Sequence, residues 1–406
     1  MISKFYTKSI DERRRALVES GIPESVMQQL DLEAASSSTL FELDAMAENV
    51  IGAYRLPLGV LTGLCVDGRV HSVLMATEEP SVIAGVNRAA RLFNACGGIE
   101  TTLCIPVTEA QIAVVVAAEH ATQFVEILRQ NRDVWLNIAN DANPLLVAAG
   151  GGAFDCRIES LKNSPNSEQT KVENSEEFVV MTLSVRTCDA MGANAVNTMA
   201  EAVLRAFNDK FASFPGYAPC MAILSNRACG RTVCASARLD AEAISACTRW
   251  DFDEFSRRIE RASRFALQSP ERAVTHNKGI LNGIVAAALP LGQDTRAISC
   301  AALDAACLSG RHVPLSQWTI DAPNHALIGR LEIPIPFGAI GGARNVPHIA
   351  AAFLFDGISS AQTGASLLAA IGLAQNFAAL WALVTDGIQA GHMALHARKQ
   401  RRRETS

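Results

Sequence analysis

No Cys-x-x-Cys pair occurs among the eleven cysteines of this 406-residue chain. That absence excludes zinc ribbons and thioredoxin-type motifs, and an odd number of scattered thiols argues against a disulfide framework. The thiols are expected to be reduced and buried, in a cytoplasmic protein. No apolar core follows Lys4, Lys8 and Arg13–Arg15, so no signal peptide is expected. The longest apolar stretch, Ala365 to Val384, is broken by Gln375 and Asn376 and rich in alanine. It reads as a buried helix and not a membrane span. An excess of positive charge is also missing: the net charge of −5 gives no reason to expect nucleic acid as a partner. The basic run from Arg398 to Arg403 reads as a solvated terminus. Gly150-Gly151-Gly152 and Gly338-Ala-Ile-Gly341-Gly342 fit neither G-x-G-x-x-G nor a P-loop and read as tight turns. His392 and His396 are four apart on a helical pattern, but Met393 breaks the H-E-x-x-H zincin pattern, and no metal is expected. Internal repeats and low-complexity tracts are absent.

What remains is a globular chain, 49% apolar and 19% charged, long enough for two or three domains. Ser9-Ile-Asp-Glu12 is a capping box that starts a helix running to Gly21, and Ile22-Pro23 opens a second. Pro80 suits the first position of a third, in which Val82, Val86, Ala89 and Phe93 repeat at helical spacing before Gly97-Gly98. The middle of the chain predicts strand Ile112–Ala117, helix Ala121–Asn131, strand Phe154–Ser160, strand Phe178–Val185, a helix through Val196, Met199, Val203 and Phe207, and strand Met221–Leu224. This β-α-β-β-α-β order is ferredoxin-like. The fold class expected is α+β: a mostly helical large domain (1–105 plus 222–386), an inserted small ferredoxin-like domain (106–221), and a short helical tail (387–406). Asp189-Ala-Met-Gly192-Ala-Asn194 joins a strand to a helix, where small residues let a ligand approach backbone N–H groups. A simple turn explains those residues equally well. Lys278 lies in a polar, loop-like stretch.

Six segments, spread in order over most of the chain, jointly resemble the soluble bacterial class of 3-hydroxy-3-methylglutaryl-CoA reductases. They are Glu48-Asn-Val-Ile-Gly52, Glu78-Glu79-Pro80-Ser81, Asp189-Ala-Met-Gly-Ala-Asn194, Asn197-Thr-Met-Ala-Glu201, Thr275-His-Asn-Lys-Gly279 and Gly391-His-Met-Ala-Leu-His396. The resemblance implies a catalytic set of Glu79, Lys278, Asp294 and His392. It implies that Ser81, Arg272, Thr275 and Asn282 bind substrate, with Arg272 gripping its carboxylate. It implies cofactor contacts at Asp189, Met191, Gly192, Asn194 and Asn226. Glu48–Gly52 matches an interface segment, so a homodimer or larger homo-oligomer with shared sites is expected. The family's ribose-binding aspartate corresponds to the neutral Asn143. Asp141 lies close enough to replace it, which tilts the expectation to NADH and leaves NADPH open.

The reaction so implied interconverts 3-hydroxy-3-methylglutaryl-CoA and mevalonate plus CoA with two hydrides from NAD(P)H. Lys278 would stabilise the oxyanion, with Asp294 holding it charged, and His392 would protonate the departing CoA thiolate. Glu79 would protonate the aldehyde oxygen. Its place at a helix start favours the carboxylate, so burial or a second acid such as Glu78 or Asp294 would have to oppose that. The chain departs from the soluble bacterial pattern in its short tail after His392, where the family's flap continues. That departure is the one support for an alternative, a non-catalytic CoA-thioester or nucleotide-binding homologue.

Overall fold

The computed structural model describes residues 7–25, 43–161, 176–385 and 387. The chain divides after Leu58 into two units. In the first, the capping box forms: Ser9 Oγ accepts from the Glu12 N–H at 3.3 Å, and Glu12 Oε2 accepts from the Ser9 N–H at 2.8 Å. Helix α1 (Ile10–Glu19) follows. Its buried Arg13 pairs with Asp44 and donates to the Val50 carbonyl at 3.0 Å, while Arg14 donates to the Ile51 carbonyl at 2.6 Å. These bonds tie the Glu48–Gly52 segment to α1. The helix predicted after Ile22-Pro23 is described only at Glu24 and Ser25, and the predicted tail only at Gly387.

The second unit opens with the hairpin β1 (Leu58–Val66) and β2 (Arg69–Ala76). Asp67 and Gly68 have φ of 50° and 77°, the all-positive turn that matches strand twist. Helix α2 (Val82–Ala95) starts two residues later than Pro80 predicts. The cause is Ser81, whose φ of 76° breaks the helical run and makes it the N-cap. Strand β3 (Glu100–Leu103) then leads to the small sheet: β4 (Val107–Ala117), β5 (Gly152–Leu161), β6 (Glu176–Arg186) and β7 (Ala218–Leu224). Their spatial order, β5-β6-β4-β7, is antiparallel throughout and is that of a ferredoxin-like sheet. Helices α3 (Ala121–Gln130), α4 (Arg132–Asp141), the short α5 (Pro144–Ala148) and α6 (Ala193–Phe211) accompany it. Phe124, Trp135, Phe207 and Phe211 are the large side chains of this core.

Strand β8 (Thr232–Asp240), helices α7 (Ala241–Thr248), α8 (Phe252–Gln268), α9 (Pro270–Ala288) and α10 (Thr295–Cys307), strands β9 (Ser316–Asp321) and β10 (Ala326–Pro334), and helices α11 (Pro347–Asp356) and α12 (Ala361–Val384) build a second, larger core with α2. The sheet order here is β3-β8-β10-β9. Helix α12 is the apolar stretch foreseen as a buried helix. It packs against α2, α8, α9 and the sheet, with Phe377 and Trp381 inside an aromatic cluster that includes Phe93, Phe255 and Trp318. Lys278 is helical, contrary to the loop predicted. Ser269 and Pro270 start α9 in the favoured way, and the polar residues that suggested a loop are partly buried and hydrogen-bonded. The cysteines are all free, as expected, but seven of the eleven are exposed and only Cys156 is buried. Several sit on outward faces, such as Cys234 on β8, where strand alternation turns them to the surface.

Asp356, at the end of α11, is 1% exposed. Its Oδ1 accepts from the Leu74 N–H at 2.9 Å, and Oδ2 is buried without a partner. Burial pushes its pKa up to about 7. The folded chain therefore holds a proton that the unfolded chain releases near pH ~4, and stability is lost as pH rises from there towards 7. Asp356→Asn keeps the acceptor for Leu74 and removes the titration. Urea unfolding should give similar midpoints for both proteins at pH 4, and a higher midpoint for the variant at pH 8. A gap independent of pH would show that Asp356 is not the protonated group.

Candidate active site

Arg272, Thr275, Lys278 and Asn282 recur along α9 at spacings that keep them on neighbouring turns of one side. Ser269 Oγ caps this helix by accepting from the Arg272 N–H at 3.2 Å. The α9 residues meet Glu79, in the turn ahead of α2. Lys278 Nζ donates to Glu79 Oε2 at 2.7 Å and Asn282 Nδ2 donates to Oε1 at 3.2 Å. The left-handed Ser81 that delays α2 is part of the same turn. Lys278 and Glu79 side chains are 60% and 37% exposed, so this ion pair contributes little to stability and mainly sets geometry. All four α9 residues, Glu79 and Ser81 line one cavity of about 380 Å³.

Several polar groups in that cavity have no partner. Burial lowers the pKa of Arg272, and among the described residues no ion pair or side-chain hydrogen bond engages its guanidinium. Ser81 Oγ and Gln375 Oε1 are buried and unbonded. Native proteins rarely leave such atoms unpaired. The set suits a ligand that brings an anion and hydroxyl or carbonyl groups. Gln375 escaped the sequence reading, although its signal was present: it interrupts the apolar stretch of α12.

A second cavity, of about 370 Å³, is lined by Met191, Gly192, Asn194 and Asp294. Gly192 is the N-cap of α6 with φ 96°, and a Cβ there would lie 2.4 Å from Thr187 Cγ2. Glycine is thus required by both conformation and space. Asp189 braces the turn: its Oδ1 accepts from the Ala361 N–H and its carbonyl from the Ala339 N–H, both at 2.8 Å. Asp294 caps α10, accepting from the Arg296 and Ala297 N–H groups at 3.1 and 3.0 Å, and approaches the Arg296 guanidinium at 3.5 Å. No hydrogen bond or ion pair joins it to Lys278 among the described residues. Asn226 lines a small cleft beside Met191. Asn143 Oδ1 caps α5 by accepting from the Leu146 N–H at 3.2 Å. His392 and His396 lie outside the described residues.

Arg231 is a further residue that the sequence concealed, since a lone arginine beside Gly230 carries no motif. It is 5% exposed. It donates to the carbonyls of Ala190 (3.0 Å), Met191 (2.7 Å) and Phe337 (3.1 Å), and to the hydroxyls of Thr108 (3.0 Å) and Thr187. Burial pushes its pKa down to about 10, which leaves it charged. This guanidinium holds the strand-to-helix turn against β4 and the Phe337 segment. Arg231→Met fills similar space but strands those acceptors, at about 1–3 kcal/mol for each one left unsatisfied. Its urea midpoint should fall clearly, with faster amide exchange over residues 187–194. Unchanged exchange there would show that the turn stands without Arg231.

Comparison with known proteins gives a consistent result. A sequence-family description, hydroxymethylglutaryl-coenzyme A reductase, matches residues 9–397. The chain is 37% identical over 399 residues to 3-hydroxy-3-methylglutaryl-coenzyme A reductase of Archaeoglobus fulgidus, covering 98% of this chain and 86% of the relative. It is 32% identical over 401 residues to a probable enzyme of that name from Borreliella burgdorferi, covering 97% and 85%. A solved 3-hydroxy-3-methylglutaryl-coenzyme A reductase from Streptococcus pneumoniae superposes with a TM-score of 0.79 at 35% identity, over 98% of this chain and 90% of the other. The class II enzyme of the same organism, bound to NADPH in open conformations, gives 0.78 at 34% identity over 94% and 99%.

Proposed function

Because the chain belongs to the hydroxymethylglutaryl-coenzyme A reductase family, we propose that it interconverts 3-hydroxy-3-methylglutaryl-CoA and mevalonate plus CoA with a nicotinamide cofactor. The observation that carries this reading is the bonded Lys278–Glu79–Asn282 group in one cavity with the unpaired Arg272.

The second cavity fits the cofactor. Small residues surround the Gly192 turn, and the first N–H groups of α6 together with its dipole suit a pyrophosphate. When bound, the cofactor supplies hydride to the acyl carbon. Lys278 places an ammonium where the carbonyl oxygen gains charge, a contribution of roughly 3–4 kcal/mol for a well-placed donor. Glu79 orients that ammonium and lies within proton-transfer distance of it, so it serves the aldehyde step as proton source. The ammonium therefore has Glu79 as its carboxylate partner, and Asp294 acts from the cofactor side of the site. Arg272 receives the substrate carboxylate, with Ser81, Thr275 and Asn282 around it. His392 protonates the CoA thiolate: a thiol titrates near ~8.5 and imidazole near ~6.5, so transfer runs downhill at neutral pH. We assign NADH as the favoured cofactor, because Asp141 at the end of α4 adds negative charge beside Asn143 that opposes a 2′-phosphate. We place the enzyme in the cytoplasm.

The test is absorbance of the reduced nicotinamide with the thioester and each cofactor in turn, and in reverse from mevalonate. Turnover should appear with both substrates and be faster with NADH. Lys278→Ala should lower it at least a hundredfold on thioester and on free mevaldehyde alike. Near-normal turnover by that variant would reject the role of Lys278, and none by the parent chain would reject the reading.

We also assign a homodimer with shared sites, on the match of Glu48–Gly52 to an interface segment. Light scattering at assay concentration should give at least twice the 43.3 kDa chain mass. A fully active monomer would count against shared sites.

A further inference from the structure

His276 sits on α9 beside the cavity yet is only 2% exposed. Its Nε2 lies 2.6 Å from Ser316 Oγ and 3.0 Å from Asn376 Nδ2. The Asn376 amide cannot be turned round. Its Oδ1 accepts from the Trp318 indole N–H at 3.0 Å and from the Ser316 hydroxyl at 2.9 Å, and an indole nitrogen can only donate. Nδ2 is therefore the atom that faces His276, and it too can only donate. Nε2 must accept, so the single ring proton lies on Nδ1, which is buried without a partner. A second proton on Nε2 would set N–H against N–H at 3.0 Å in a dry core. Burial and then the nearby Arg272 charge push the imidazole pKa down to about 3, against a smaller opposite pull from the Ser316 main chain.

The charged groups lining the cavity are Arg272 and Lys278 on α9, Glu79 ahead of α2 and Arg88 on α2. Facing His276, β9 and α12 supply only neutral groups: Ser316, Trp318, Gln375 and Asn376. Lys278 is matched by Glu79, and Arg88 stacks over Trp381 at 3.7 Å. A cation at 276, one helical turn from Arg272, would repel its guanidinium and offer an incoming carboxylate a competing partner.

We propose that the buried Trp318–Asn376–His276 chain locks His276 as a neutral imidazole protonated at Nδ1, and that His276 is thereby a positioning residue that leaves Arg272 as the cation receiving the acyl carboxylate. The second half rests on the function proposed above, and the lock does not.

The lock is read directly by long-range ¹⁵N–¹H correlation spectra of the full chain carrying ¹⁵N-histidine, with His276→Gln identifying the signal by its loss. The His276 ring should stay neutral and Nδ1-protonated through the range around about 6.5 where free imidazole titrates. A ring protonated at Nε2, or an imidazolium in that range, overturns the lock. Asn376→Asp replaces the opposing donor by a carboxylate and should let Nε2 take a proton. Its KM for the thioester should rise about tenfold at acidic pH, the equivalent of one pKa unit, and recover as the ring deprotonates, with kcat and the cofactor KM nearly constant. A folded Asn376→Asp enzyme with a flat KM profile overturns the positioning role. Should that variant not fold, the parent enzyme decides: its thioester KM should show no imidazole inflection, and one that disappears in His276→Gln overturns the proposal. A neutral Nδ1-protonated ring in a chain that turns over no thioester would reject the proposed function and leave the lock standing.

Discussion

The close approach of α9 and α12 is the constraint on which the site depends. A Cβ on Gly283 would lie 2.7 Å from Gln375 Cβ, and one on Gly372 would lie 2.8 Å from Ile284 Cδ1. Both helices give up side chains so that their backbones can approach. That contact turns the α9 row of Arg272, Lys278 and Asn282 towards the turn ahead of α2, and it brings Gln375 and Asn376 to the same place. Helix α12 is held in turn by the aromatic cluster around Phe377, whose ring lies 4.7 Å from that of Trp318 and 5.5 Å from that of Phe93. Packing density here translates into angular precision: a helix that cannot slide or roll keeps its polar side chains in register.

A different device holds the second cavity. The turn from β6 to α6 belongs to the smaller core, while the segment from Phe337 to Ile340 belongs to the larger one. Hydrophobic packing within either core cannot fix the spacing between them. Arg231 does so with charge-assisted bonds to carbonyls on both sides, and Asp189 adds its bonds to Ala339 and Ala361. The charged and polar groups at this junction are satisfied inside the protein, which contrasts with the unsatisfied ones in the neighbouring substrate cavity.

Much of this was legible in the sequence, for identifiable reasons. Strands of the small sheet alternate in burial, and its helices repeat apolar residues at helical spacing, so local pattern and tertiary structure agree there. The start of α2 was misplaced because Pro80 is a strong local signal, whereas the left-handed Ser81 is imposed by the turn that delivers Glu79. Lys278 was read as a loop residue because Thr275, His276 and Asn277 are polar. Their polarity serves bonds to β9 and to the Val313–Leu315 segment, far away in the chain. Arg231, Gln375 and His276 were invisible for the same reason: each is defined by partners that only the fold assembles. The segments that did signal function are those whose residue types are unusual for their position, such as glycine at the start of α6.

The contrast between paired and unpaired polar groups gives the site its chemical sense. His276 and Asn376 are buried and bonded through their inner atoms, so their protonation and orientation are settled before any ligand arrives. Lys278 and Glu79 are bonded to each other and remain accessible, so they can exchange a proton or turn to a new partner. Arg272, Ser81 Oγ and Gln375 Oε1 are left unbonded, and the free energy of pairing them is released only when a complementary ligand enters. Rigid inner groups, an exchangeable pair and an unsatisfied set are three different uses of polarity within one cavity. A preorganised site needs all three, because reorganising dipoles during the reaction would forfeit the stabilisation that fixed donors provide.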